Sequence, residues 1–212
     1  VNQVSIHKTI SLCASLLATF MMLSGCGPVK TPITHQYTLN MPDKKTTNKH
    51  LPYTLLISKP EAMAGYQTEQ MLYVKTPFTL EPFAKNAWVS PPADMLYPLL
   101  VKHIQASHAF RAITSAPFAD KTDYRLDTQL ITLNQNFLSK QSTLNFAAKI
   151  ALTRVSDNHV IASRLIIKQL PCSKNTPLGG VIAANQASAA FTEDTLAFVI
   201  QQIQRDARQQ KI

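Results

Sequence analysis

Thr143-Leu144-Asn145-Phe146-Ala147-Ala148-Lys149-Ile150-Ala151-Leu152 is the clearest pattern in the chain. Leu144, Phe146, Ala148, Ile150 and Leu152 recur at every second position, so an extended backbone places all five on one face, with Asn145 and Lys149 on the other. This is a strand with one buried face. Before it, Tyr124, Leu126 and Leu130 alternate with Asp123, Arg125, Asp127 and Gln129. After it, Ser156-Asp157-Asn158-His159 supplies turn chemistry leading into 160–170. The three segments predict a meander of long antiparallel strands with one wet face.

Further out, 37–41 and 51–58 are short β-prone runs separated by a loop bearing Lys44, Lys45 and Lys49. Residues 69–74 and 78–83 read as strands joined in a hairpin across Lys75-Thr76-Pro77. Ser90-Pro91-Pro92 then suits a helix start, with Ser90 as the N-cap and proline in the first turn. Leu96, Leu99, Leu100, His103 and Ile104 follow at three- and four-residue steps, giving the helix one apolar stripe. From Val181 the helical period returns, with Leu196, Val199, Ile200, Ile203 and Ala207 on one face. Arg205, Arg208 and Lys211 near its end complement the negative pole of the helix dipole and need no ligand to explain them. The expected architecture is α+β, an antiparallel sheet with two helices packed on one face.

The 212 residues are 45% hydrophobic and 16% charged, enough apolar sequence to bury one core. Position 26 divides the chain. His7 and Lys8 precede an apolar run from Ile10 to Leu23 that ends in Leu23-Ser24-Gly25-Cys26. Such a run is short for about 30 Å of hydrocarbon, whereas small residues before a cysteine suit peptidase cleavage. Residues 1–25 are expected to be a signal peptide, 26–36 a tether carrying Pro28 and Pro32, and 37–212 the folded domain. Loss of the leader takes Lys8 from a formal charge of +9, leaving a basic mature chain of +8. That balance suits anionic lipid or an acidic partner, and equally simple solubilisation. Nucleic acid is not expected, because no basic helix is interleaved with stacking aromatics.

The search for chemistry returns no catalytic or metal constellation. Gly-x-Ser-x-Gly, Cys-x-x-Cys and His-Glu-x-x-His do not occur. His103 and His108 are spaced to opposite sides of a helix. Leu178-Gly179-Gly180 lacks the ending of a phosphate loop and reads as a flexible approach to the last helix. No enzyme activity and no cofactor are expected. Cys172 is the one cysteine outside the leader and its cleavage site, and is expected half-buried at a strand end. Trp88, the only tryptophan, either closes the core or presents a partner-binding surface.

Leu23-Ser24-Gly25-Cys26 resembles the bacterial lipobox, which implies a diacylglycerol thioether and an N-acyl chain on Cys26. Gly27, where Asp would favour the inner membrane, implies the outer membrane. Further on come Gly65-Tyr66, Met71-Leu72-Tyr73, Leu80-Glu81-Pro82-Phe83-Ala84 and Trp88-Val89-Ser90-Pro91-Pro92-Ala93-Asp94-Met95-Leu96. With Tyr37-Thr38-Leu39 and Asp123-Tyr124-Arg125-Leu126, they resemble the ABC-type transport auxiliary lipoproteins. Members often carry a basic residue before the tryptophan, where this chain has Ala87. The resemblance implies a fold like the amino-terminal domain of TolB. It also implies partnership with a mammalian-cell-entry (MCE) type substrate-binding protein and, through it, an ABC permease and ATPase. Phospholipids or other hydrophobic molecules would be the cargo, and a homo-oligomer is compatible with it. A lipopolysaccharide- or outer-membrane-assembly lipoprotein is the competing reading, and would capture an outer-membrane β-barrel instead of an MCE protein.

Overall fold

The computed structural model describes residues 35–40, 50–115 and 122–210. Among these residues, nine strands and two helices follow in order: β1 (His35–Tyr37), β2 (Leu51–Ile57), β3 (Glu61–Ala62), β4 (Gln70–Val74), β5 (Glu81–Trp88), α1 (Pro92–Ala106), β6 (Phe110–Ser115), β7 (Tyr124–Asn136), β8 (Thr143–Arg154), β9 (His159–Pro171) and α2 (Pro177–Gln209). The α+β class is as expected. The sheet itself is mixed.

The predicted meander is present: β8 pairs antiparallel with β7 from Tyr124↔Arg154 to Asn136↔Thr143, and with β9 from Thr143↔Pro171 to Arg154↔His159. An irregularity between Leu130 and Thr132 shifts the alternation, so Tyr124, Leu126 and Leu130 are buried before it and Leu133 after it. The correction concerns the other edge of β7. There β2, β3 and β4 line up in succession, all parallel to it, at Leu55↔Tyr124, Glu61↔Gln129 and Leu72↔Asn134. Strands β2 and β6 are also parallel, as are β1 and β5, whereas β4 and β5 form the expected antiparallel pair. Parallel neighbours need a crossover, and α1 lies in the chain between β2 and β6. Turn chemistry marks hairpins only, so this part of the pairing was hidden.

The apolar faces of β7 and β8 meet the helices. Phe146 packs on Phe191 of α2, with ring centroids 5.2 Å apart, and Leu96, Leu100 and Ile104 of α1 are fully buried in the same core. Helix α1 begins one residue later than expected. Pro91 occupies the N-cap at ψ 135° without a side-chain cap, because the proline after it disfavours the helical region. Ser90 therefore does not cap. Helix α2 begins earlier than expected, at Pro177, with Thr176 Oγ1 accepting from the Gly179 amide at 3.2 Å. Gly179 and Gly180 are thus first-turn residues rather than a flexible approach. Their lack of side chains has a reason: a Cβ on Gly179 would strike the Lys174 carbonyl, and one on Gly180 would strike the Gln135 amide.

Candidate functional site

Cys26 lies outside the described residues. Trp88 ends β5 and is 3% exposed, in a narrow cleft with Met71, Phe83, Leu144 and Gly180. Its ring offers almost no surface to a partner, so its burial favours core packing. Cys172 is more buried than expected, with no exposed surface, directly after β9. Burial pushes its thiol pKa up, partly offset by hydrogen bonding to Ser142 and Gln135. A raised thiol is a poor nucleophile. His103 sits in the last turn of α1, and His108 follows at φ 51°. Among the described residues, no three His, Cys, Asp or Glu side chains gather as a metal site.

Two residues that carry the family resemblance, Asp123 and Tyr124, hold elements of the fold together. Asp123 Oδ2 accepts from the Thr54 amide at 2.7 Å and from Arg111 at 3.2 Å, clasping β2 and β6 to the start of β7. The next residue, Tyr124, donates its hydroxyl to Asp206 at 2.9 Å. Arg154 bridges the same Asp206 at 2.6 Å and Asp157 at 2.6 Å. Burial, then the Asp206 hydrogen bond, raises the Tyr124 pKa. Hydrogen bonding to Arg154 lowers that of Asp157 to about 2. The Asp206 side chain is only 8% exposed, so this network ties the end of α2 to the sheet through a carboxylate that needs all its partners.

Two open grooves lie nearby. One, of about 590 Å³, is lined by Ser58, Lys59, Glu61, Arg125, Asp127 and Lys149. The other, of about 750 Å³, is lined by Tyr53, Leu56, Asp123, Tyr124, Arg154 and Gln210. In the first, Arg125 is paired with Asp127 at 2.9 Å and Lys59 with Asp94 at 2.9 Å.

Residues 37–195 match the family described as the ABC-type transport auxiliary lipoprotein component. The chain belongs to this family. Auxiliary lipoproteins of this kind are transport components held at a membrane of the cell envelope, not a known enzyme family. Among the described residues, no helix is long and apolar enough to cross a membrane. No curated protein sequence matches the chain. The solved structure of protein XCC0632 from Xanthomonas campestris is similar in fold, at 21% identity and a TM-score of 0.75, covering 82% of this chain and 99% of that one. Hypothetical protein CT253 from Chlamydia trachomatis is similar at 6% identity and a TM-score of 0.51, over 71% and 96%. The fold thus persists where little sequence is shared. What the sequence missed is the set of turns at the other end of the sheet from Asp206. The visible signal was Phe78, a large apolar residue beside Lys75-Thr76-Pro77 in a turn.

Proposed function

We propose that this auxiliary lipoprotein is anchored through diacylglycerol and N-acyl chains on Cys26 at the periplasmic face of the outer membrane. There it docks or assembles an MCE-type lipid transport system rather than catalysing a reaction. The observation that carries the reading is the family match over residues 37–195, joined to Leu23-Ser24-Gly25-Cys26 upstream. Two or more acyl chains hold a protein stably, since each buried methylene contributes about 0.8 kcal/mol. Energy for transport would come from the ABC ATPase, reached through the MCE protein and the permease. The cargo class, phospholipids or other hydrophobic molecules, follows the partner system. Detergent extraction and affinity capture of the full chain test this. Recovery of an MCE protein is expected, and recovery of an outer-membrane β-barrel without it would favour the assembly reading.

A further inference from the structure

We infer that the end of the sheet formed by the turns 75–80, 137–142 and 172–176 is a membrane-contacting tip, which rests Phe78 and Leu138 in the interface of an anionic phospholipid bilayer. This rests on the reading that Cys26 carries lipid.

Phe78 is fully exposed and held at φ 65°, a backbone region that a bulky side chain rarely adopts. Folding therefore presents an aromatic ring to solvent at a conformational cost. On the same turns Leu80 is 42% exposed and Leu138 50%, and Leu178, in the helix turn that follows the third, is 52% exposed. Lys75, Lys140 and Lys174 stand exposed on the same three turns, which contain no Asp or Glu. Among the described residues, none of these lysines is in an ion pair. Glu81, which directly follows the first turn in sequence, accepts from the Tyr73 hydroxyl at 2.6 Å. Exposed apolar side chains sharing their turns with lysines outside any ion pair fit an acyl boundary beneath anionic headgroups, each nearby lysine adding attraction.

The turns are built as one surface. The Phe137 amide donates to the Val74 carbonyl at 2.8 Å, and the rings of Tyr73, Phe83 and Phe137 meet tilted or edge to face with centroids 4.5 to 6.2 Å apart, joining the first turn to the second. Asn175 joins the second to the third, donating to the Lys140 carbonyl at 2.9 Å and accepting from the Ser142 amide at 2.8 Å. Chain direction favours lipid over a protein as the occupant. Strand β1 runs parallel to β5 with His35 at Asn86, and β5 starts at this end, so the described chain enters the sheet heading away from the tip. Five residues of strand, about 17 Å, separate Asn86 from Glu81. Nine residues from Cys26 to His35 reach about 30 Å at most. An acyl anchor can therefore hold the tip against the bilayer.

The test uses the lipid-bearing full chain in vesicles of phosphatidylethanolamine and phosphatidylglycerol carrying brominated acyl chains. An environment-sensitive dye is placed on Thr79→Cys, or on Ser156→Cys at the other end, with the parent chain's signal subtracted. At least threefold stronger quenching at position 79 is expected, reduced to the level at 156 by Phe78→Ser with Leu138→Ser, and weakened in phosphatidylcholine. Equal quenching at both positions overturns the tip. So does a dye that lipid leaves unquenched but an added MCE protein shields. A mass spectrum of the same sample reads Cys26: an unmodified cysteine overturns the anchor, while the ratio of quenching at the two positions still decides the tip.

Discussion

The two ends of the long strands are finished in opposite ways. At the Asp206 end, charge is internal: Tyr124, Arg154 and Asp157 converge on or beside one nearly buried carboxylate, and Asp123 holds Thr54 and Arg111. At the Phe78 end, apolar side chains and lysines point outward with no carboxylate on the turns. Neutralised charge holds elements of the fold together, whereas unneutralised charge beside exposed aromatic surface is available to something else. Both ends rest on one core, so their roles can be separated by substitution.

Trp88→Ala, between the ends, is expected to have the largest effect, a loss of about 3 to 5 kcal/mol in denaturant melts, from lost burial and the cavity left behind. A variant that melts like the parent but no longer captures its partner would make Trp88 a docking residue after all. Asp206→Ala comes next. Removing one partner of a buried ion pair costs about 3 to 5 kcal/mol. Arg154 is one-fifth exposed and keeps Asp157, so about 2 kcal/mol is expected, with no change in vesicle contact. At the other end Phe78→Gly should move stability the opposite way, by up to about 1 kcal/mol, because glycine adopts φ 65° without steric cost. Destabilisation there would mean that Phe78 packs in the fold and that the contrast between the ends is false.

The smallest effect is acid dependence. Asp157 has a folded pKa of about 2 against 3.8 in an open chain, so its stabilising contribution is present above 3.8 and lost as pH falls through about 2. Melting of the parent and of Asp157→Asn should therefore converge between pH 4 and pH 2. Equal separation of the two curves across that range would contradict the Arg154 pairing.

Much of the fold, though not this contrast, was legible before the structure. Alternation in Tyr124 to Leu130 and Leu144 to Leu152, with the Asp157-Asn158 turn, marked the meander because burial on one face leaves a period of two. The stripe from Leu96 to Ile104 marked α1 for the equivalent reason. The parallel run of β2, β3 and β4 along β7 was not legible, because pairing at that distance leaves no local turn signature, and β6 lacks clean alternation. Nor was the role of Asp123-Tyr124, whose partners Thr54, Arg111 and Asp206 are remote in sequence. Phe78 and the three lysines could be read one at a time. Only the sheet gathers them.

Mass spectrometry of the amino-terminal peptide from membrane-extracted protein tests the anchoring on which both function and orientation depend. A peptide beginning at Cys26, with the mass of a diacylglycerol and a further acyl chain, is the expected result. A peptide containing Cys26 still joined to Gly25, or free of lipid, would contradict it.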